Sequence, residues 1–202
     1  MFVGRELLIC DLDGTLIERD LGIAFRKWLM ETGNFGQFRA LLAIFFLPLN
    51  LISRKFFCRG SILSAWSSFR KPNDSQELMG LFIEENHLHF SINEEVLSEV
   101  NTFEGERILL SGSETGLISM LLEFKDIGVF DRIIGAETTF FGIVFSRQPY
   151  GRSKNRVGPA TVSLGNSWPD RFLMNSSKKA IVVNGDKRLT KLAEKKKWRI
   201  MG

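Results

Sequence analysis

Leu7-Leu8-Ile9-Cys10-Asp11-Leu12-Asp13-Gly14-Thr15-Leu16 is the stretch from which the rest of the chain is read. Four apolar residues in a row, Leu7 to Cys10, have the character of a strand buried on both faces. Gly14 then breaks the run into a turn. In an open parallel sheet, ligands bind outside the carboxyl ends of the strands. Asp11 is therefore expected at the mouth of a sheet, with Asp13 just beyond it in the loop. Two acids this close repel unless a cation sits with them or one keeps a proton. An oxygen-rich pair of this kind suits a hard divalent ion such as magnesium. The alternative is an ordinary turn, in which Asp and Gly serve only the backbone.

Composition sets the frame. With 202 residues, 44% of them hydrophobic, the chain is long enough for one full core with a small appended domain. No uncharged apolar run reaches the roughly 18 residues of a spanning helix. The opening Met1-Phe2-Val3-Gly4-Arg5-Glu6 lacks the tripartite pattern of a secretory leader. Cys10 and Cys58 make no disulfide framework, so a cytoplasmic setting is expected. The formal charge of +4 is uneven, with nine Lys or Arg between Lys178 and Arg199 against Asp186 and Glu194. No zinc spacing or aromatic RNA-binding signature accompanies that cluster, so it reads as a solvated face rather than a nucleic-acid site.

From residue 17 to 105 the periodicity turns helical. Leu21, Phe25, Trp28 and Leu29 fall on one face, and further helical runs are expected over 38–47, 62–69 and 76–84. Pro72-Asn73-Asp74 reads as a turn, and Ser91-Ile92-Asn93-Glu94 as a capping box for a helix through Val100. Ala40–Ile52 is apolar and uncharged but too short to cross a bilayer. It reads as a buried helix; the alternative is an edge that touches membrane or a greasy substrate, with Arg54 and Lys55 behind it. His87 and His89 have no third ligand nearby and read as packing residues.

Strand character returns at Arg107–Leu110 and ends at Ser111-Gly112-Ser113, followed by a helix with Leu117, Ile118, Leu121 and Leu122 as its stripe. The hydroxyls and amides there could hold a phosphate, or Ser113 could be only a cap. Another strand follows Gly128, and 140–145 reads as an extended flap. Gly151-Arg152-Ser153-Lys154 brings a lysine of the kind that neutralises phosphate charge, although a surface role is equally open to a lone lysine. Ala160–Leu164 is the next strand, leading into Gly165-Asn166-Ser167-Trp168-Pro169-Asp170 and a helix through Met174. Lys179–Asn184 reads as the final strand, and Asp186-Lys187-Arg188-Leu189 opens the last helix.

Asp11-Leu12-Asp13-Gly14-Thr15-Leu16 after an apolar strand resembles the first motif of the haloacid dehalogenase-like phosphatases. Ile108-Leu109-Leu110-Ser111-Gly112 is similar to the second, the position of Lys154 to the third, and Gly165–Asp170 to the fourth. The helical block after the first motif is similar to the cap of the phosphoserine-phosphatase-like branch. The resemblance implies an α/β fold: a Rossmann-like three-layer parallel sheet core, residues 1–16 and 106–202, with a helical cap, residues 17–105, inserted after the first strand. It implies a phosphate monoester hydrolase working through an aspartyl-phosphate. Asp11 would be the nucleophile, Asp13 the general acid and base, and Ser111 and Lys154 the phosphate contacts. Mg2+ would be held by Asp11, Asp13 and Asn166, with Asp170 binding it through water or orienting Lys154.

The chain departs from the motif pattern twice. Asn166 stands where an acid is expected, which removes a negative charge from the metal site. Only twelve positions separate Lys154 from Asn166, and Gly158-Pro159 interrupts them, so the usual crossover helix has no room. These departures put the lysine's placement in question. They motivate one other reading, a weak or inactive member that binds or regulates; the basic cluster and Ala40–Ile52 motivate another, a phosphatase for a lipid or prenyl phosphate at an anionic membrane surface. The expected partner is a phosphorylated small molecule or lipid, and the oligomeric state is left open.

Overall fold

The computed structural model describes residues 6–34, 72–139, 144–147 and 149–202. The helical runs expected over 38–47 and 62–69, the apolar stretch Ala40–Ile52, and Cys58 lie outside these residues. Strand β1, Leu7–Asp11, is central. Beyond it come α1 (Leu21–Glu31), α2 (Pro72–Asn86) and α3 (Glu94–Asn101). Then follow β2 (Glu106–Glu114), α4 (Thr115–Phe124), β3 (Arg132–Thr139) and β4 (Val144–Arg147). A 3-10 segment, Gly151–Val157, leads to β5 (Val162–Gly165). The chain ends with α5 (Arg171–Ser176), β6 (Lys179–Val183), α6 (Lys187–Lys196) and β7 (Arg199–Met201).

Among the described residues the strands form one sheet in the order β4-β3-β2-β1-β5-β6-β7. Six of them run parallel, and β4 closes one edge antiparallel to β3. This is a parallel core flanked by helices, with a helical insertion after the first strand. The order of the strands reverses beside β1, so a crevice opens at the carboxyl ends of β1 and β5.

Side chains alternate across the sheet as the pleat requires. Leu8, Cys10, Leu109, Val162, Leu164, Ile181 and Val183 point to one face. There they join Leu21, Phe25, Trp28 and Leu29 of α1, Phe82 and Ile83 of α2, Val96 and Val100 of α3, and the stripe of α4 in one apolar cluster. Phe82 meets the Phe25, Trp28 and Phe90 rings at centroid distances of 5.2, 5.7 and 6.0 Å. The Trp28 indole N–H donates to Glu85 at 2.7 Å, so its one polar atom is satisfied. On the other face Ile9, Ile108 and Leu110 meet Ala160 and Leu173, while Ala180 and Val182 meet Leu189 and Ala193 of α6.

Several local expectations are corrected. Pro72-Asn73-Asp74 is not a turn but the first turn of α2, where a proline's missing N–H costs nothing. The cap of α3 is Asn93, whose side chain accepts from Val96 N, rather than Ser91. Strand β2 runs on through Ser111 and Ser113 to Glu114, and Ser113 does not cap the helix that follows it. A seventh strand, β7, follows α6, so β6 is not the last. Its three residues fall below the length at which alternation is visible in sequence. His87 and His89 lie in a 3-10 turn, and the His87 ring packs 4.3 Å from Phe124. Among the described residues no helix is long and apolar enough to cross a membrane.

Two features of this fold are open to measurement. The Ser163 hydroxyl is fully buried in β5 with no hydrogen-bond partner among the described residues. Ser163→Ala removes an uncompensated polar group and is expected to hold or raise stability, by up to about 1 kcal/mol, read as a higher urea midpoint at unchanged m. Glu99 of α3 accepts from Lys179 at 3.2 Å and Arg199 at 2.7 Å, tying β6 and β7 to the helix layer. Its partial burial works to raise the carboxyl, but the hydrogen bonds from Arg199 and Lys179 win and hold it below its ordinary value. A depressed carboxyl stabilises above its unfolded pKa and loses that stabilisation as pH falls through its folded one. Glu99→Gln is therefore expected to cost less than about 1 kcal/mol at neutral pH, because the pair is largely solvated. The difference from wild type should vanish on acidification in parallel urea titrations.

Candidate active site

The turn after β1 sets the geometry. The N–H groups of Thr15, Leu16 and Ile17 all donate to the Leu12 carbonyl, at 3.0–3.2 Å. Gly14 takes φ +75°, a conformation that disfavours a side chain, and a Cβ there would come within 1.9 Å of the Asn166 amide nitrogen. The loop after β1 and the loop after β5 are thus in direct contact, and glycine is the residue that allows it.

Three buried charges meet at the crevice. The Lys154 ammonium donates to Asp11 Oδ1 and to Asp170 Oδ1, each at 2.6 Å, and all three side chains are at most 6% exposed. The short segment before β5 therefore delivers the lysine that the twelve-residue spacing had put in question. Asp170 also accepts through Oδ2 from Asn166 N (3.2 Å), Ser167 N (3.0 Å) and Ser167 Oγ (2.7 Å). Gly165 makes this closure fit, since a Cβ there would lie 2.8 Å from that of Asp170. Asp11 has one further contact, the Thr15 hydroxyl at 3.3 Å from Oδ2.

The two acids share one cation unequally. Burial works to raise Asp170, but the charge and hydrogen bond of Lys154 and the Ser167 donors pull it below its ordinary value. Burial pushes Asp11 up to about 8, with Lys154 opposing and the charges of Asp170 and Asp13 adding. Burial also works against the Lys154 ammonium, but the charges of Asp11 and Asp170 overturn it and raise its pKa. Asp170, with three extra donors, takes the larger share of the lysine's charge. Asp11 is left short of positive charge.

Asp13 stands apart from this triad. Its Oδ2 accepts from Ser111 Oγ at 2.6 Å and Ser113 Oγ at 3.0 Å, and its Oδ1 accepts from Leu21 N at 2.8 Å. The first N–H of α1 is thus satisfied by an acid at the sheet mouth, while Gly22 N donates to Ser113 Oγ at 3.1 Å. Burial is the largest effect on the Asp13 carboxyl and raises it, helped by the charge of Asp20 and opposed by its hydrogen-bond donors.

The residues singled out in the sequence, Asp11, Asp13, Ser111, Lys154, Asn166 and Asp170, all lie at this one crevice. Their side chains are not all free to hold an ion. Both oxygens of Asp13 and both of Asp170 are engaged as described, and no three His, Cys, Asp or Glu side chains converge as a cation cage among the described residues. What remains is Asp11 Oδ2, the backbone at Asp13 and the Asn166 carboxamide, which has no side-chain partner among the described residues. That donor set is all oxygen, and Asp11 shares its one cation with Asp170; both features fit a hard divalent cation. Sequence reasoning missed Thr15, Ser167 and Asp186. Asp186 caps α6 through Arg188 N and Leu189 N, both 2.9 Å, and also accepts from Trp168 N at 2.5 Å. Its capping pattern was visible, but its second bond was not.

No family model matches the chain, and no curated protein matches it. Solved structures do. A protein of unknown function from Bordetella pertussis Tohama I superposes with a TM-score of 0.71 at 15% identity, covering 98% of both chains. A phosphoserine phosphatase solved as a phospho-aspartyl intermediate analogue superposes with a TM-score of 0.54 at 12% identity, covering 98% of this chain and 92% of that one. A phosphoserine phosphohydrolase-like protein from Francisella tularensis gives 0.54 at 14% identity, covering 96% and 94%. The chain shares the fold of haloacid dehalogenase-like hydrolases, including structures of the phosphoserine-phosphatase kind.

The charge balance of the triad is testable without any substrate. Lys154→Met leaves the buried Asp170 carboxylate without its cation and is expected to cost roughly 3–5 kcal/mol in urea unfolding at neutral pH. Adding Asp170→Asn to that variant removes the stranded charge and should recover part of the loss, giving a non-additive cycle.

Proposed function

We propose that the protein is a magnesium-dependent phosphatase that hydrolyses a phosphate monoester through an aspartyl-phosphate. The observation that carries this reading is the placement of Asp11 at the carboxyl end of β1, with the buried Lys154 ammonium 2.6 Å from one carboxylate oxygen. The Thr15 hydroxyl lies 3.3 Å from the second oxygen. The likeness in fold to a phosphatase captured as a phospho-aspartyl analogue supports the same chemistry.

In this reading an Asp11 oxygen forms a bond to phosphorus as the bond to the leaving oxygen breaks. Lys154 offsets charge on the phosphoryl oxygens and holds Asp11 in place, and Asp170 fixes Lys154. Asp13 protonates the leaving oxygen. It then takes a proton from the water that attacks the aspartyl-phosphate, returning Asp11 and releasing phosphate. A carboxyl raised by burial suits the first of these tasks. Ser111 lends its hydroxyl to the phosphate once Asp13 turns from it toward the leaving group. Magnesium would be held by the Asp11 carboxylate, the Asp13 backbone carbonyl and Asn166, and supplies positive charge against the phosphoryl group. Because Asn166 is neutral, the site should hold magnesium more weakly than one with an acid there.

The test is turnover of p-nitrophenyl phosphate and a panel of phosphorylated metabolites and lipids, with and without magnesium. Asp11→Asn is expected to lower kcat by at least about a thousandfold. Turnover retained in that variant would remove Asp11 as the nucleophile, and magnesium-independent turnover would remove the ion from the scheme.

A further inference from the structure

We infer that a ladder of stacked cations and rings, Arg152 on Phe172, Phe172 on Arg171 and Arg171 on Trp168, positions Lys154 in the crevice. The segment that carries the lysine, Gly151–Val157, is a 3-10 run bounded by two glycines at φ +55° and φ +106°. A 3-10 turn is less well bonded than an α-helix, and left-handed glycines at both ends leave its orientation poorly fixed by its own backbone. Something outside the segment must aim it.

The ladder supplies that anchor. The Arg152 guanidinium, two residues before Lys154, lies 5.3 Å from the centre of the Phe172 ring. Arg171 lies 3.9 Å from the same ring and 4.3 Å from that of Trp168. The Arg171 side chain also donates to the Trp168 carbonyl at 2.6 Å, and Trp168 N donates to Asp186 at the start of α6 at 2.5 Å. No ion pair with a carboxylate holds Arg152 or Arg171 among the described residues, so the aromatic faces are what the guanidiniums rest on. The rungs run from the lysine segment, through α5, to the loop that carries Asn166 and Asp170. Lys154 and its partner Asp170 are in this way braced from one framework. Arg152, Phe172, Arg171 and Trp168 are positioning residues, since none of them touches Asp11.

The kinetic consequence rests on the phosphatase reading, but the placement of Lys154 does not, and the two are read separately. Lys154 is followed by acetylation with acetic anhydride and peptide mass spectrometry, with exposed Lys27 as the internal control. Arg152→Gln and Phe172→Leu are expected to raise Lys154 labelling by about two- to fivefold, the shift that loss of an exposed cation–π contact allows. Arg152→Lys and Phe172→Tyr, which keep a cation on a ring, should restore the protection of the wild-type protein. Where wild type turns over phosphomonoesters, the first two variants should lose kcat by roughly tenfold with a smaller change in KM. Unchanged Lys154 labelling in Arg152→Gln overturns the inference, and this exposed substitution decides the matter if Phe172→Leu fails to fold. A uniform rise across all lysines, or failure of Arg152→Lys to restore protection, overturns it as well. A wild-type protein with no turnover removes the phosphatase reading and leaves the labelling result standing.

Discussion

One buried ammonium between two carboxylates organises the sheet mouth. Lys154 reaches Asp11 from β1 and Asp170 from the loop after β5, and so joins the two strands between which the strand order reverses. Isolated buried charges are costly, and here the one ammonium is held between the two carboxylates. The surrounding details follow from that constraint. Gly14 and Gly165 let the two loops approach. Ser167 and the Asn166 amide complete the Asp170 shell.

Much of this was legible in the chain. The apolar run Leu7–Cys10 and the acids after it placed β1 and the crevice, because a strand buried on both faces has no other signature. The spacing of Leu21, Phe25, Trp28 and Leu29 gave α1, and all four are buried. Asp11, Asp13, Ser111, Lys154, Asn166 and Asp170 do gather at one place. The motif resemblance, rather than periodicity, was what pointed to the last four.

What the sequence hid has a common cause: it lies in the partners of a residue rather than in its neighbours. Ser113 looks like a helix cap by position, yet its hydroxyl is spent on Asp13 and the strand runs past it. The spacing alone argues against the lysine, because a crossover without a helix shows nothing in sequence that would hold it. The sheet face there is covered instead by Ala160, Leu173 and Val157, and the 3-10 segment spans the gap. The three-residue β7 gives no periodic signal, and its place beside β6 is secured in part by Arg199 reaching across to Glu99.

The hydrogen bond from Leu21 N to Asp13 links two events that would otherwise be independent. Leu21 opens the first helix of the insertion, and Asp13 closes the first turn of the core. Swinging that helix away strips the acid of its backbone donor, and rotating the acid leaves the helix start unsatisfied. The placement of the insertion's first helix and the rotamer of Asp13 therefore hang on one shared hydrogen bond, so a substitution that shifts either shifts the other.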